Sequence, residues 1–385
     1  MKVAVIIDIW SPVVGGSQTH VETLTSSLIK NHGFKIDIFS RALIDDDGKR
    51  HDDNEEDCEG QRRIIRTVPA TKTSSTWGRI STLFSIAWRV KKEHKLENYD
   101  LIHAHSILGG FVGKLASFLI RRPVLLTVHG CPNMDGGRKN LDSLIERFIL
   151  TRIKYDKVIS VGKSYLAHSN VNRNIEVIPN GVEIEKFDAL TDEKKADFFK
   201  VLFVGRLDWV KGIDTLIESV KIMKEKNPLF LKEKILQVHI IGYGFNAERY
   251  KAMARNSRVE DIVLFRGKIT GESLRREYKS SWLFILPSIC EGQPITILEA
   301  MAAGLPVLTT YAADNAGIIK LETGWKIKEK NPGLLANKLA EIMRLDIKKL
   351  DEMGGEGHKN ISNNYTLDLV ASKMVDIYSL LISNR

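Results

Sequence analysis

Two glutamates in one short segment are the first candidates for binding a ligand. Glu291 and Glu299 lie within Pro287–Thr309, PSICEGQPITILEAMAAGLPVLT. The segment follows an apolar run typical of a buried strand, and Pro294 fits the first position of the helix that should come next. Carboxylates repel phosphate but accept hydrogen bonds from hydroxyl groups. We therefore expect Glu291 to hold hydroxyls of a sugar and Glu299 to hold a ribose.

A second loop supplies positive charge. Phe203–Gly212, FVGRLDWVKG, follows a predicted strand and carries Arg206 and Lys211. Two such cations can hold a diphosphate and neutralise it as a leaving group without a metal. The helix start after Glu291 adds backbone N–H groups over 292–295, and helix N-termini favour phosphate. The two loops together predict a site for a phosphorylated ligand at the carboxyl edge of a parallel sheet.

Glycines and histidines mark strand ends in the first half of the chain. Gly16, in SPVVGGSQ, follows the first predicted strand and permits close approach of a ligand. His103, His105 and His129 end two later strands, in LIHAHS and LTVHG. These three histidines can bind a metal, but a histidine at a strand end more often packs and hydrogen-bonds in the interior. We favour a ligand-facing role for His129, because a glycine follows it.

A glycine turn in the second half matches a dinucleotide-binding pattern. Gly242–Ala247, GYGFNA, fits G-x-G-x-x-A. An NAD site expects this pattern in the first strand–helix unit, with an acid about 20 residues on at the end of the next strand. The acid here, Asp261, comes before its strand. We therefore interpret Gly242 as part of a tight turn near a nucleotide, and not as part of an NAD site.

Elements that alternate along the whole chain must position these residues. Short β-branched runs such as Val3–Ile7 and Val201–Val204 alternate with helical patterns such as Thr19–Lys30. This alternation indicates parallel sheets with helices on both faces. The runs fall into two groups, separated by a charged stretch near 180–200. We therefore predict an α/β protein with two Rossmann-like domains that face each other across a cleft.

Length and composition fit this architecture and exclude other classes. The chain has 385 residues, 43% hydrophobic and 27% charged, which excludes collagen-like and disordered chains. At about 100–200 residues per domain, this length suggests two domains. Lys and Arg number 57 against 48 Asp and Glu, a formal charge of +9. Such a balance favours polyanions, anionic membranes or phosphorylated ligands as partners.

Two further segments each have two interpretations. Asp45–Glu59 clusters carboxylates that can bind a divalent cation, although we interpret it as a solvated, mobile loop. Trp77–Lys95 has an apolar face and a cationic end, so it can lie on a membrane surface or pack on its own sheet. No apolar stretch reaches the roughly 18–20 residues that span a bilayer. We expect a soluble chain, or one that is peripheral on a membrane.

Taken together, these motifs resemble those of retaining glycosyltransferases of family 4, which have the GT-B fold. Glu291 and Glu299 form the E-x7-E element, GRLDWVKG matches the phosphate clamp, and IPNGVEIEKF matches the interdomain signature. VVGGSQTHV, LIHAHS and TVHG occupy the expected places in the first half. The resemblance covers nearly the whole chain. It implies an acceptor-binding domain over 1–183, a nucleotide-sugar-binding domain over 184–365, and a last helix over about 366–385 that crosses back onto the first.

The resemblance assigns a role to each candidate site residue. Arg206 and Lys211 would bind the donor diphosphate, Glu291 would hold the transferred sugar and His129 would sit beside it. These four form the implied catalytic set. Gly16 would approach the diphosphate from the first domain.

The nucleotide would contact further residues in the second domain. Glu299 would hold the ribose. The other implied donor-binding residues are Gly242, Lys268, Ile269, Gly292, Gln293, Ile297 and Leu298. Among these, Lys268 and Ile269 would flank the base. Backbone N–H groups of Gly292 and Gln293 would help to hold the sugar, and Ile297 and Leu298 would lie near the ribose and phosphate.

Two departures from the family pattern affect the donor site. The family often has a Gly-Gly turn and a Glu after the strand that follows the E-x7-E helix, whereas Thr310–Gly317 reads TYAADNAG. Gln293 occupies a position that is often aromatic in the family. The family's donor contacts at the Thr310–Gly317 loop are therefore not carried over to this chain. Because of Gln293, we also expect the sugar pocket to differ from that of the family.

The implied reaction moves a sugar from a nucleotide diphosphate donor, with UDP favoured, to an acceptor hydroxyl with retention at the anomeric carbon. The departing phosphate would help to take the acceptor proton in a front-face displacement, and neither a metal nor a cofactor is expected. The acceptor would be a saccharide or lipid-linked saccharide in glycan or glycolipid biosynthesis. The expected location is the cytoplasm, with peripheral contact on the inner face of the membrane as an option, and no nucleic-acid partner. The alternatives are a sugar-nucleotide epimerase on the same fold and a two-lobed, non-catalytic sugar-nucleotide-binding protein.

Overall fold

The computed structural model describes most of the chain as two compact units. The described residues are 1–10, 15–44, 50–51, 54–58, 60–72, 76–130, 141–167, 171–172, 174–191, 193, 195–314 and 316–384. Unit 1 comprises residues 1–180 and the last segment, 367–385, and unit 2 comprises residues 181–366. The last helix therefore groups with unit 1, and the division of the chain lies close to the expected boundary at residues 183 and 184.

Unit 1 is an α/β unit built on one sheet. Its strands are β1 (Lys2–Ile6), β2 (Lys35–Ile44), β3 (Arg50–His51), β4 (Glu55–Asp57), β5 (Arg62–Lys72), β6 (Leu101–His105), β7 (Val124–Val128), β8 (Lys157–Ser160) and β9 (Ile175–Val177). Its helices are α1 (Gly16–His32), α2 (Thr76–Glu97), α3 (Ile107–Ile120), α4 (Leu141–Arg152) and α13 (Leu367–Ser383), with a 3₁₀ turn at Ser164–Ala167.

The strand order in unit 1 reverses close to the residues that we expect to face a ligand. Among the described residues the order is β4-β5-β2-β1-β6-β7-β8-β9, with β3 paired to β2. The pairs are parallel, except that β3 and β4 are antiparallel to their partners. The order reverses between β1 and β6, and ligands of open α/β sheets bind beyond the carboxyl ends of the strands at such a point.

Both faces of this sheet are covered. Side chains alternate between faces along a strand, and Val3 and Val5 of β1 join one buried cluster whereas Ala4 and Ile6 join another. The helix α13 contributes Met374 and Tyr378 to the cluster that contains Val3, and it packs against α1. The end of the chain thus completes the core of unit 1.

Unit 2 contains a six-stranded parallel sheet in its described part. Its strands are β10 (Lys200–Val204), β11 (Gln237–Ile241), β12 (Val263–Gly267), β13 (Leu283–Leu286), β14 (Val307–Thr310) and β15 (Gly324–Ile327). Its helices are α5 (Glu185–Asp188), α6 (Ile213–Lys226), α7 (Pro228–Lys234), α8 (Ala247–Asn256), α9 (Gly271–Lys279), α10 (Ile295–Ala302), α11 (Pro332–Ile342) and α12 (Ile347–Asn364), with a 3₁₀ turn at Trp209–Lys211.

The order of the second sheet is β12-β11-β10-β13-β14-β15. Its central strands, KVLFV in β10 and LFIL in β13, are buried along their whole length, as expected where helices cover both faces. The order reverses between β10 and β13. The two loops singled out from the sequence, with Arg206 and Lys211 in one and Glu291 in the other, follow these two strands.

For its described residues, the structure changes the interpretation of Asp45–Glu59 as a solvated, mobile loop. Within it, β3 and β4 extend the sheet, while residues 45–49, 52–53 and 59 lie outside the described residues. Asp57 Oδ2 lies 2.6 Å from Arg62 Nη2, and Glu55 Oε1 lies 2.7 Å from Arg66 Nη1. The buried arginines explain the order, because carboxylates are needed beside guanidinium groups that have lost solvent.

Two further expectations, the start of α10 and the helix at Trp77–Lys95, can be compared with the structure. Pro294 is the residue before α10 and not its first residue, so the helix starts one position later than expected. The predicted helix at Trp77–Lys95 is α2, which buries Ile86, Ala87 and Val90 against the sheet. In the described part of the chain, no helix is both long and apolar enough to cross a membrane.

Candidate active site

The loops after β10 and β13 meet where the strand order of unit 2 reverses. Lys211 Nζ lies 2.6 Å from Glu291 Oε1, and the two side chains are only 17% and 13% exposed. The Ser288 hydroxyl donates a hydrogen bond to the same carboxylate oxygen at 2.7 Å. The structure therefore joins the expected phosphate-binding lysine and the expected sugar-binding glutamate in one ion pair.

Backbone and hydroxyl hydrogen bonds fix these loops to one another. The Ile289 N–H donates to the Val210 carbonyl at 2.7 Å. The Thr310 hydroxyl, at the end of β14, donates to the Ser288 carbonyl at 2.6 Å. Three neighbouring strand ends thus hold the Lys211–Glu291 pair, and little reorganisation is needed to present it to a ligand.

The helix α10 positions the second carboxylate. Tyr278 Oη, at the end of α9, donates a hydrogen bond to Glu299 Oε2 at 2.8 Å. Burial raises the pKa of Glu299, while the bond from Tyr278 and the charge of Arg275 act in the opposite direction. Glu299 is therefore oriented by a neutral hydroxyl, and unlike Glu291 it is not paired with a lysine ammonium.

Arg206 is placed differently from Lys211. Its side chain is 63% exposed, and Nη2 lies 3.2 Å from Asp208 Oδ2 in the same loop. The two cations of this loop thus each face a carboxylate, one at the surface and one in the interior. Arg206 can be recruited by a ligand at lower cost, because an exposed ion pair contributes little to stability.

The turn after β11 packs tightly against the Arg206 loop. Gly242 has φ +149°, and a Cβ there would lie 1.8 Å from the Gly205 carbonyl oxygen. The Gly242 N–H donates to the Gly267 carbonyl at 2.8 Å, and the Leu207 N–H donates to the Tyr243 carbonyl at 2.9 Å. Only glycine fits at residue 242, so this residue shapes the site through the fold.

The remaining expected donor residues of unit 2 fall into two groups. Lys268, after β12, places Nζ 5.2 Å from the centroid of the Tyr243 ring, and Ile269 beside it is partly buried against the core. The second group is buried almost completely and comprises Gly292, Gln293, Ile297 and Leu298. The side chains of Ile297 and Leu298 belong to the main core cluster, so they act in packing.

The loop after β14, which differs from the family pattern, is held by the buried carboxylate of Asp314. Asp314 accepts hydrogen bonds from the Ile318 and Ile319 N–H groups at 2.7 and 3.1 Å, and from Lys326 Nζ at 3.0 Å. Its buried carboxylate therefore holds the turn that the family more often builds with a Gly-Gly pair. Residue 315 of this segment lies outside the described residues.

In unit 1, the candidate residues lie at the reversal between β1 and β6. Gly16 is the first residue of α1, and a Cβ added there would meet no atom of the described residues within 4 Å. His105 ends β6 and His129 follows β7, and their Nδ1 and Nε2 atoms are 3.0 Å apart. One of these two rings donates to the other, so His129 is held by His105.

His103 does not join this pair through its ring nitrogens. Its Nδ1 lies 2.6 Å from Tyr378 Oη of α13, and its Nε2 lies 2.7 Å from Thr127 Oγ1. The residue that completes the group is His20 on α1, whose ring centroid lies 4.8 Å from that of His129. We name His20, His105 and His129 the histidine cluster.

The histidine cluster is electrically neutral near pH 7. Burial lowers the pKa of His20 to about 4, although a hydrogen bond with Asn180 acts against this. Burial, followed by the charges of neighbouring histidines, lowers the pKa values of His105 and His129 well below the usual range. An imidazolium in this cluster would be desolvated and close to like charge.

Sequence reasoning missed three residues that the structure places in these sites. Ser288 and Tyr278 orient the two glutamates, and His20 completes the histidine cluster. Ser288 stands three positions before Glu291 in a segment already singled out, so its position was a usable signal. Tyr278 and His20 lie on helices, and their partners are far away in the sequence. Nothing in the local sequence around either residue indicates those partners.

Comparison with protein families assigns the chain. A model described as Glycosyl transferases group 1 matches residues 185–360, and a model described as Glycosyltransferase Family 4 matches residues 14–186. Between them they cover most of the chain, including every candidate site residue. The chain belongs to the family 4-like glycosyltransferases. The expected GT-B fold, with two parallel-sheet α/β domains, is confirmed.

Individual relatives agree with this assignment. An uncharacterized glycosyltransferase of Methanocaldococcus jannaschii is 27% identical, over 99% of this chain and 98% of the relative. A UDP-Gal:alpha-D-GlcNAc-diphosphoundecaprenol alpha-1,3-galactosyltransferase of Escherichia coli is 27% identical, over 76% of this chain and 78% of the relative. Among solved structures, sucrose-phosphate synthase from Thermosynechococcus elongatus is similar in fold, with a TM-score of 0.85 at 23% identity over 100% of both chains.

Proposed function

We propose that this glycosyltransferase transfers a sugar, with retention at the anomeric carbon, from a nucleotide diphosphate donor to a hydroxyl of a saccharide or lipid-linked saccharide. The observation that carries the proposal is the Lys211–Glu291 ion pair at the strand reversal of unit 2. It places a phosphate-binding cation and a hydroxyl-binding carboxylate side by side, as the bond between a sugar and a diphosphate requires.

Lys211 can serve both parts of the donor at once. Its ammonium group has three N–H donors, of which one suffices for Glu291. The others can reach the diphosphate, whose charge increases as the sugar leaves. Arg206, exposed beside Asp208, supplies a second cation, and Glu291 orients the sugar by accepting hydrogen bonds from its hydroxyls. His129 and Gly16 of unit 1 are assigned to the donor by the family resemblance.

Glu299 supplies the ribose contact in this proposal. Its position on α10 and its hydrogen bond from Tyr278 leave a carboxylate of fixed orientation for two vicinal hydroxyl donors. The base would lie along the Lys268–Ile269 backbone. One residue offers an N–H donor and a carbonyl acceptor, which matches the adjacent donor and acceptor of uracil. The E. coli relative is described as using UDP-Gal, and this also favours UDP.

The chemistry follows from the groups present. The two glutamates bind hydroxyls, so the enzyme does not use a pair of carboxylates as retaining glycosidases do. In the proposed front-face displacement, the bond from the anomeric carbon to the phosphate oxygen breaks as the acceptor oxygen bonds to the same carbon. The acceptor proton passes to the departing phosphate oxygen. The protein supplies charge stabilisation through Lys211 and Arg206, and no metal is assigned to this step.

A donor screen tests the proposal. Thermal unfolding should be followed with UDP, GDP and ADP sugars, since a ligand at 100 times its Kd stabilises by about 2.7 kcal/mol. We expect a UDP-sugar to shift the midpoint most. Glu299→Gln should abolish most of that shift, whereas Glu218→Gln, at a partly exposed position of α6, should not.

Product analysis tests the stereochemistry. With the best donor and a saccharide acceptor, NMR of the product should show the donor's anomeric configuration. An inverted product would contradict retention. Incubation with donor alone serves as the control for the epimerase alternative, because formation of the epimeric sugar nucleotide would support that reaction instead.

A surface of unit 1 favours an acceptor at a lipid surface. The helices α2, α3 and α4 pack side by side, and each exposes large apolar side chains. Phe84 and Trp88 on α2 are 61% and 64% exposed, Phe118 on α3 is 80% exposed, and Leu144 and Phe148 on α4 are 60% and 56% exposed. Adjacent exposed side chains of this size are typical of interaction surfaces.

Basic residues lie beside these apolar groups. Lys91 Nζ lies 4.9 Å from the centroid of the Trp88 ring, and Lys92, Lys95 and Arg147 are exposed on the same helices. Apolar side chains bordered by cations suit an anionic membrane surface. The acceptor named for the E. coli relative carries a diphosphoundecaprenol lipid, so a protein docked on the membrane would meet such an acceptor directly.

Sedimentation with lipid vesicles tests the membrane contact. We expect the full chain to sediment with phosphatidylglycerol vesicles and to remain in solution with phosphatidylcholine vesicles. Trp88→Glu combined with Phe148→Glu should weaken this binding. Phe245→Glu is a matched control, because Phe245 is fully exposed in unit 2. Equal binding of all variants would contradict the assignment of this surface.

A further inference from the structure

The histidine cluster has a property that sugar transfer does not require. One ring nitrogen from each of His20, His105 and His129 comes together in a group whose atoms all lie within 4.8 Å of one another. His20 and His105 are buried, and His129 is partly buried. The three residues come from α1, the end of β6 and the loop after β7, so the strand reversal in unit 1 gathers them from distant parts of the chain.

These distances approach those of a metal site. Imidazole nitrogens bind Zn²⁺ at about 2.0–2.1 Å, so two ligands of a tetrahedral ion stand roughly 3.3–3.4 Å apart. His105 Nδ1 and His129 Nε2 are 3.0 Å apart, and the proton of one ring lies between them in a hydrogen bond. Replacing that proton with a metal ion needs only a small movement of the two rings. His20 lies within reach of the same point.

The neighbours of the cluster fix its rings without competing for an ion. His103 stacks beside His105, with ring centroids 4.0 Å apart, but both of its nitrogens bond to Tyr378 and Thr127. His20 hydrogen-bonds with Asn180. Ligating histidines usually have such outer partners, which set the orientation of the ring.

The donor set selects a class of ion. The group contains three imidazoles and no carboxylate. Mg²⁺ and Ca²⁺ prefer oxygen ligands, whereas neutral imidazole suits Zn²⁺, Co²⁺, Ni²⁺ and Cu²⁺. Three protein ligands also leave one tetrahedral position for water or a hydroxyl group.

We propose that His20, His105 and His129 form a binding site for a divalent transition-metal ion of the Zn²⁺ class, with a water molecule as the fourth ligand. Binding of the ion would replace the His105–His129 hydrogen bond and engage His129, the residue assigned beside the transferred sugar. The metal would thus inhibit sugar transfer. The binding site itself does not depend on the proposed reaction, because it stands on the geometry of unit 1 alone.

Cobalt titration of the full chain, purified without a polyhistidine tag, tests the site. Co²⁺ bound by three imidazoles and one water gives intense visible absorption. We expect saturation at one equivalent, and displacement of Co²⁺ by Zn²⁺. His20→Gln and His105→Gln should each weaken binding by at least about tenfold. His32→Gln, on the exposed part of α1, should bind as the parent does, and circular dichroism should confirm that each variant is folded.

X-ray absorption of the Zn²⁺-loaded parent protein tests the ligand set without any substitution. Three imidazole ligands with one oxygen are expected. Fewer than two imidazoles would overturn the proposal, as would the absence of Co²⁺ and Zn²⁺ binding at neutral pH or unchanged binding in folded His20→Gln and His105→Gln. Because no donor sugar enters these measurements, failure of the glycosyl-transfer proposal would leave the result intact.

Discussion

The two units carry different kinds of polar group at equivalent points of their sheets, charged in unit 2 and neutral in unit 1. In unit 2, the reversal between β10 and β13 carries charged groups that are already paired, with Lys211 Nζ 2.6 Å from Glu291 Oε1. In unit 1, the reversal between β1 and β6 carries imidazoles that burial keeps neutral. The same sheet topology therefore holds either fixed charge or polarity without charge. The phosphate-binding cations that we propose lie at the first reversal, and the metal site that we propose lies at the second.

The candidate glycines of the two units differ in how closely other atoms surround them. Gly242 of unit 2 is pressed against the Gly205 carbonyl, whereas Gly16 of unit 1 borders open space among the described residues. Gly242 is thus required by protein contacts. Among the described residues nothing requires a glycine at residue 16, and we propose that a ligand does. Gly242 thus builds the site through the fold, whereas Gly16 is assigned to it by the proposed donor contact alone.

The largest effect is expected from Gly242→Ala. The new Cβ would lie 1.8 Å from the Gly205 carbonyl oxygen at φ +149°. Backbone strain and overpacking together should cost about 2–5 kcal/mol of the free energy of unfolding. Urea unfolding of the full chain measures this loss. A loss below about 1 kcal/mol would mean that the loop yields easily, and the contrast with Gly16 would disappear.

Lys211→Ala tests the charged site next. Loss of a charge-assisted bond to a partly buried phosphate costs about 1.5–3 kcal/mol, which is roughly a 10–150-fold fall in kcat/KM. Steady-state kinetics with the best donor measures the fall. Lys221→Ala is the matched control, since Lys221 pairs with Glu218 on the partly exposed side of α6. An unchanged kcat/KM would remove Lys211 from the site.

Acid should weaken unit 2 through a carboxylate outside the donor site. His239, with Nδ1 3.7 Å from Glu277 Oε2, and Lys200, with Nζ 2.7 Å away, lower the pKa of Glu277 from 4.5 to about 2. A lowered carboxyl pKa adds stability above the unfolded pKa, and this stability is lost as pH falls from about 4.5 to about 2.

Glu277→Gln measures that contribution. Because Glu277 is only half buried, we expect the free energy of unfolding of the parent protein to exceed that of the variant by at most about 2 kcal/mol at pH 7. The gap should narrow between pH 5 and pH 3 in urea unfolding experiments. A gap of constant size across this range would show that the carboxylate charge contributes nothing.

The smallest effects should come from the two ends of α1. Gly33 closes the helix at φ +68°, so Gly33→Ala should destabilise by about 1 kcal/mol and leave donor affinity unchanged. Gly16→Ala should leave unfolding unchanged and lower donor affinity by about tenfold or less, because its Cβ would meet the diphosphate. Thermal unfolding and calorimetric titration with the donor separate the two. Full donor affinity in Gly16→Ala would remove Gly16 from the donor site.

Much of this architecture could be predicted from the sequence, for a physical reason. Parallel strands buried on both faces become continuous apolar runs, and the loops after β10 and β13 carry their charged residues within a few positions. Pairs that form through space are not readable in this way. The contact between Lys211 and Glu291 depends on the order β10-β13 in the sheet, and the bond from Tyr278 to Glu299 depends on how α9 packs beside α10.

The segment at residues 45–59 shows the same limit from the other side. Its carboxylates predicted a solvated loop because charge runs usually are solvated. Arg62 and Arg66 lie on β5 and are buried, and they attract Asp57 and Glu55 into sheet pairing. Local composition gave the polarity of the segment correctly. The position of the arginine side chains that pair with it depends on the tertiary structure and cannot be read from local composition.

The position of α13 has a consequence for synthesis of the protein on the ribosome. Residues 181–366 of unit 2 form one continuous stretch, so this unit can fold as soon as it leaves the exit tunnel. Unit 1, although its other elements are translated first, lacks Val370, Met374 and Tyr378 of its core until α13 emerges. The nascent chain therefore carries a first unit without these core residues until α13 has emerged. The second unit can therefore complete its core before the first, and α1 lacks the cover of α13 until then.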